Sequence, residues 1–210
     1  VGAGSFITLE GGEGGGKSTQ AKKLAAFLTA RGHDVVLTRE PGGAPGAEAI
    51  RKLLVEGASN RWDGLTEALL HTAARRDHLV NTVWPAIDAG KTVICDRFFD
   101  STIAYQGYGH GLDLSAIRAL QKIALGDFKP ALTLILDLPT SVGLSRANAR
   151  GGLETRYESM AQAFHERLRQ GFLEIAKTDP VRCKVINADS DVETVHAAIT
   201  QVVSAHFGKR

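Results

Sequence analysis

The sequence predicts an α/β fold: a parallel sheet of five strands with helices on both faces. Three observations lead there. Five short runs rich in branched and bulky residues alternate with segments of helical periodicity, the pattern of successive βαβ units. Several of these runs are apolar almost throughout, as strands covered on both faces are. One run passes through a cluster of glycines directly into a helix. No repeat and no long linker interrupts the 210 residues, a length that suits one domain with a full core.

Ser5–Leu9 alternates and reads as the first strand. Ala21, Leu24, Ala25 and Leu28 fall at i, i+3, i+4 and i+7, one face of a helix that Gly32 can end. Asp34–Thr38 is the second strand, closed by "REPGG". Ala47–Glu56 reads as a short helix. Asp63–Ala89 is mostly helical, with Pro85 expected to break or kink it. "TVICD" (92–96), "LTLILDL" (132–138) and "CKVIN" (183–187) are the remaining strands. Helical patterns cover Asp113–Leu125, Pro139–Arg150, Met160–Lys177 and about Val192–Phe207.

Composition excludes several classes. No run approaches the ~20 apolar residues that cross a bilayer, and the first residues carry no basic-then-apolar signal pattern. A net charge of +2 is too mild to indicate a nucleic-acid face. Cys95 and Cys183 sit in or beside apolar runs and have no partner at metal-ligand spacing. They read as buried packing residues, which points to a reducing cytoplasmic setting. None of the seven histidines makes a zinc pair.

"EGGEGGGKST" (10–19) contains G-x-x-x-x-G-K-[ST] at Gly11, Gly16, Lys17 and Ser18, between a strand and a helix. That context favours an anion cradle over a flexible glycine turn. Backbone amides of Gly11, Gly12, Glu13, Gly14, Gly15, Gly16 and Thr19 surround a phosphate chain, the helix N-terminus adds positive potential, and Lys17 supplies a point charge. The Ser18 hydroxyl is placed to ligate Mg2+.

In open parallel sheets ligands bind at the carboxyl ends of the strands. That rule gathers Glu10–Ser18, Arg39–Gly43, Asp96–Gly111 and Asn187–Asp191 along one rim. Asp96 stands where an acid can hold Mg2+ or its water, and Arg97 beside it can grip a phosphate. The other reading of the two is a structural pair capping the strand. Arg39 reads either as a solvated loop charge or, with the rigid turn after it, as a group facing a ligand.

Together, "FITLEGGEGGGKST", "TREPGG", "AAR" at 73–75 and "DRFFDSTIAYQGYGHGL" resemble the bacterial thymidylate kinases, in order along nearly the whole chain. The resemblance implies a P-loop NTPase fold, Mg2+ and ATP as donor, dTMP as acceptor and a homodimer. It also implies roles for individual residues. Glu13 accepts a hydrogen bond from the acceptor's 3′-hydroxyl, and Arg97 and Arg39 surround its phosphate. Arg75 faces a thymine carbonyl. Ser101, Thr102 and Gln106 wall the base, and Tyr105 crowds the sugar C2′ position. His71 stands where a stacking Phe is common, and His110 where an arginine is.

Among the loop's variable positions Gly12, Glu13, Gly14 and Gly15 there is no arginine. The cation that phosphoryl transfer needs must therefore come from elsewhere, and "SRANARGGLETRYE" (145–158) offers a lid. Arg146 and Arg150 share a helix face, and Arg156 follows Gly151-Gly152. Arg150 is expected to be catalytic and Arg146 to hold the lid or the phosphates of ATP. For Arg146 a solvated helix end is the competing reading. The expected function is phosphorylation of dTMP to dTDP. The alternatives are a kinase for another pyrimidine monophosphate and a nucleotide switch that is no kinase.

Overall fold

The computed structural model describes residues 4–58, 60–150, 157–158 and 160–207, with Arg150 described by its backbone alone. Gly151, Gly152 and Arg156 therefore lie outside the described residues, as does the Arg150 side chain.

All six residues of β1 (Ser5–Glu10) are buried. Alternation sends Ile7 and Leu9 to one face and Phe6 to the other. β1 is the centre of a parallel sheet in the order β2-β3-β1-β4-β5. β2 (Val35–Arg39) is an edge and pairs with β3 (Thr92–Asp96) in register Val36↔Val93. β4 (Leu132–Asp137) lies on the other side of β1, and β5 (Cys183–Asn187) outside it. From β3 to β4 the chain crosses over β1, so the strand order reverses there. Such a reversal opens a crevice at the strands' carboxyl ends.

Two helical layers cover the sheet. α1 (Lys17–Thr29) and α9 (Val192–Phe207) bring Leu24, Leu28, Ile199 and Val203 against Ile7, Leu9, Leu134 and Ile186. Burying each such side chain is worth about 1.5–3 kcal/mol. On the other face Phe6, Val93 and Phe98 pack with Leu79, Val83 and Leu125, and Ile135 and Cys183 pack with Phe164, Leu168 and Phe172. The cysteines are free and buried there, as expected.

The remaining helices are α2 (Pro45–Val55), α3 (Gly64–His78), α4 (Trp84–Asp88), α5 (Phe99–Thr102), α6 (Leu114–Leu125), α7 (Thr140–Arg150) and α8 (Gln162–Thr178). Two differences from the sequence reading matter. Pro85 does not break the long helical stretch. α3 runs through a π-helical turn, Leu79–Val83, into α4, and the Trp84 amide reaches back to the Leu79 carbonyl. A widened turn absorbs the ring and the missing N–H of proline. The segment after β3 is also helical, α5 continuing into a π-helical run, Ile103–Gly109. Its apolar spacing gives no helical signal because Asp100, Thr102 and Gln106 are buried polar residues.

Candidate active site

α1 begins without a side-chain cap. Gly16 precedes it at φ 77°, and its first turn holds no acid. By contrast, Asp63 accepts from the Thr66 amide at 2.9 Å and Asp113 from the Ser115 amide at 2.9 Å, capping α3 and α6. The first amides of α1 are thus left for a ligand. Gly14, at φ 69°, lies so near α7 that a Cβ there would stand 2.0 Å from the Gly143 carbonyl oxygen. The loop is therefore clamped between β1 and α7. The Lys17 ammonium donates to the Gly12 carbonyl at 2.7 Å, across the mouth of the loop. Burial and the neighbouring Arg97 bring its pKa down to about 8, against the pull of Glu13, Asp96 and Glu10.

The Asp96–Arg97 pair expected as one reading does not form. Ser18 Oγ instead donates to Asp96 Oδ2, which sets two oxygens side by side at the mouth of the loop. Arg97 adopts a left-handed backbone, φ 72°, which no other non-glycine residue among those described shares. That conformation costs energy and is kept where the surroundings demand it. Its guanidinium donates to the Gly11 carbonyl at 2.9 Å, to Ser101 Oγ at 3.2 Å and to Glu13 Oε1 at 3.0 Å, and lies over the Tyr105 ring. Tyr105 also donates to Glu13 Oε1, at 2.5 Å. Burial would raise the Glu13 carboxyl. The Arg97 and Lys17 cations, with the Tyr105 hydroxyl, outweigh it and bring the pKa down to about 2. Glu13 is an ionised acceptor at neutral pH.

These groups share a cavity of about 690 Å³ that reaches from the loop to α3. A space of this size suits a nucleotide. Of the residues singled out in the sequence, Glu13, Gly14, Gly15, Gly16, Lys17, Ser18 and Thr19 line its loop end. Arg39, Asp96, Arg97, Ser101 and Tyr105 line its middle, and His71, Thr102 and Gln106 line the far wall. Arg39 is half exposed and its Nη2 is 3.3 Å from the Glu48 carboxylate. Arg75 stands behind the wall. It is buried, with Nε on Glu40 Oε2 at 2.7 Å and Nη2 on the Phe98 carbonyl and Thr102 Oγ1, each at 3.1 Å. Gly11 and Gly12 back a smaller recess beside β4. Arg146 is away from the large cavity: it donates to the Ala188 carbonyl at 2.9 Å, and Asp189 is 3.7 Å from it.

Sequence reasoning missed the buried acids. Glu10, at the end of β1, accepts from the Phe98 amide at 2.8 Å and Ser101 Oγ at 2.6 Å, and so fixes the turn that carries Arg97. Burial and the nearby Asp100 push its carboxyl up. Glu40 holds both Arg75 and His78 Nδ1, the latter at 2.9 Å. Glu67 sits one turn before His71 and two before Arg75, on the same face of α3, and that i, i+4, i+8 spacing would have found it. Tyr157, within the segment read as a lid, reaches His71 Nε2 and Glu67 Oε2, each at 3.2 Å.

A parallel α/β sheet with a glycine loop between β1 and α1 and an uncapped helix start behind it is the fold of the P-loop NTPases. Comparisons narrow the class. The family model described as thymidylate kinase matches residues 9–199. The chain is 58% identical to the thymidylate kinase of Caulobacter vibrioides over 205 residues, 98% of either chain. It is 55% identical to that of Gluconobacter oxydans over 206 residues, covering 97% of this chain and 95% of the relative. The crystal structure of the thymidylate kinase from Ehrlichia chaffeensis superposes with a TM-score of 0.78 at 38% identity, over 96% of this chain and 99% of that one. The chain belongs to the thymidylate kinase family.

Proposed function

We propose that this protein transfers the γ-phosphoryl group of ATP to dTMP, giving dTDP and ADP. One observation carries the reading. A single cavity joins a triphosphate cradle at Gly14–Thr19 to a wall of Thr102 and Gln106, with Glu13 and Tyr105 between. An oxygen of the dTMP phosphate attacks the γ-phosphorus, and the bond from that phosphorus to the β-γ bridging oxygen breaks. The acceptor is a phosphate monoester with a second pKa near ~6, already largely ionised at neutral pH, so no general base is needed. What remains for the protein is positioning and stabilisation of charge.

The loop amides, Lys17 and Thr19 hold the donor's phosphates. Arg97 and Arg39 hold the acceptor's phosphate. Glu13 accepts from its 3′-hydroxyl, Tyr105 crowds the sugar C2′, and His71 stacks on the base. Ser101, Thr102 and Gln106, with Arg75 behind, wall the base. Ser18 and Asp96 fit Mg2+, a hard cation that keeps several waters and takes few protein oxygens. Among the described residues no cluster of three or more acidic, His or Cys side chains offers a complete metal cage. When bound, the ion would supply positive charge against the phosphates. The chain acts as a single kinase domain whose lid, about 145–158, supplies Arg150 for catalysis and Arg146 to hold the lid or the phosphates. It works in the cytoplasm as a homodimer. No helix among the described residues is long and apolar enough to cross a membrane.

The test is an ATP-coupled assay with a panel of nucleoside monophosphates. dTMP should be used much faster than dCMP, AMP or GMP. dUMP, short of one methyl, should trail by about 1–3 kcal/mol in kcat/KM. AMP turnover at or above the dTMP rate would sink the assignment.

A further inference from the structure

Glu67 lies beneath the wall that carries Gln106 and is fully buried. Gln106 donates from Nε2 to Glu67 Oε2 at 2.9 Å. The Tyr157 hydroxyl donates to the same oxygen at 3.2 Å, and His110 Nε2 lies 3.4 Å from it. That Glu67 oxygen is an acceptor to both Gln106 and Tyr157. The two ends of a glutamine amide have nearly the same shape, so its neighbours decide which way it faces. Against Glu67 the amide must present its NH2 group and turn its carbonyl away. That carbonyl oxygen, Oε1, is buried and has no hydrogen-bond partner among the described residues. Gln106 itself lines the large cavity. A buried acceptor left without a donor is costly, so this one suits a ligand that brings an N–H.

We propose that Glu67 is a positioning residue for base choice: its carboxylate locks the Gln106 amide so that the wall presents an acceptor, selecting a pyrimidine with N–H at ring position 3. The inference rests on the base lying against this wall. Thymine and uracil carry that N–H, whereas cytosine has a bare nitrogen there. A freely turning amide would offer Nε2 to cytosine and lose its discrimination. With Glu67 in place, the same turn would set Oε1 against a buried carboxylate, two acceptors face to face.

The test compares kcat/KM for dTMP, dUMP and dCMP in the wild type and Glu67→Gln, with melting temperatures as the check on folding. The new amide at 67 can donate or accept, so the lock is released. The preference for dTMP over dCMP should fall at least about tenfold. The dTMP-to-dUMP ratio should stay put, since both bases keep the N–H. Equal changes for all three substrates, or an unchanged dTMP-to-dCMP ratio in a folded variant, would overturn the inference. If Glu67→Gln does not fold, E67Q/Q106E restores a donor facing an acceptor and still leaves an acceptor to the cavity. That double variant should discriminate against dCMP as the wild type does, and its failure to do so would equally overturn the lock. A wild type that uses dCMP as readily as dTMP overturns the base-wall reading itself. A selective wild type with an equally selective Glu67→Gln overturns only the lock.

Discussion

The loop after β1 and the wall formed by α3 and the segment after β3 face each other across one cavity and are built by opposite means. The loop is made of backbone: Gly11, Gly14 and Gly16 take positive φ, and the start of α1 carries no side-chain cap. The wall is made of side chains from separate segments, and each of its key groups leans on a buried or part-buried carboxylate. Arg75 is held by Glu40, Gln106 by Glu67, and Tyr105 and Arg97 by Glu13. Backbone amides bind any phosphate chain, so they suit a part shared by many substrates. Orientation of an amide or a guanidinium has to be set by a partner, and inside a protein a carboxylate acceptor sets it strongly.

The largest expected effect tests whether either region supplies the transition-state cation. In the proposed reading Lys17 is a point charge engaged by the ground-state phosphates and Arg97 holds the acceptor's phosphate while donating to Glu13, Gly11 and Ser101. Arg150→Ala should therefore cut kcat by roughly 10²–10⁴ while ATP and dTMP still bind. Arg150→Lys should recover only part of it, because the planar fork is lost. Near-normal kcat for Arg150→Ala, measured beside Arg146→Ala and Arg156→Ala, would hand the role to one of the other two regions or to a neighbouring arginine.

Glu13 sharpens the boundary, since it lies in the loop by sequence and in the wall by its contacts. Glu13→Gln should lower kcat/KM for dTMP by roughly 10- to 100-fold, the worth of a charge-assisted hydrogen bond. ATP affinity should change far less. Analogues lacking the 3′-hydroxyl should lose their disadvantage in this variant. If ATP binding suffers as much as dTMP use, Glu13 belongs with the loop and the division drawn above fails.

The smallest effect is a proton count. With its pKa lowered to about 8, Lys17 is mostly neutral in the free protein above that pH. The unfolded chain holds the Lys17 proton up to about 10.5. Between these two values the unfolded state binds more protons, so the Lys17 contribution makes stability rise with pH across that window. Binding of an anionic triphosphate should restore the charge. Calorimetry near pH 8.5 in buffers of different ionisation enthalpy should show proton uptake on binding, up to about one per site, and almost none at pH 7. The wall has no counterpart, because a guanidinium does not titrate there. Binding without uptake at pH 8.5 would show that Lys17 is charged before the ligand arrives.

Much of this was legible before any coordinates. Strand, glycine loop and helix are contiguous, so Gly11, Gly16, Lys17 and Ser18 announce their site in one short stretch. The five strands follow from their apolar runs, because a strand buried on both faces has no choice of composition. The wall was legible only in part. Thr102, Tyr105 and Gln106 sit in a recognisable run, but the short helix and π-helical run that present them have no periodic signal. Arg97 was readable as a phosphate fork or as the partner of Asp96, and its contact with Glu13 spans 84 residues of sequence.

The glycine loop and the identity of the strands were thus determined by the sequence alone, since propensity, glycine chemistry and burial act within a few neighbouring residues. Only the tertiary structure decided which carboxylate holds which recognition group. Glu40 and Arg75 are 35 positions apart, and Glu67 and Gln106 are 39. A lone acid in a sequence does not name its partner. The sheet order, with β1 between β3 and β4, brings these segments to one rim, and burial then makes each pairing obligatory.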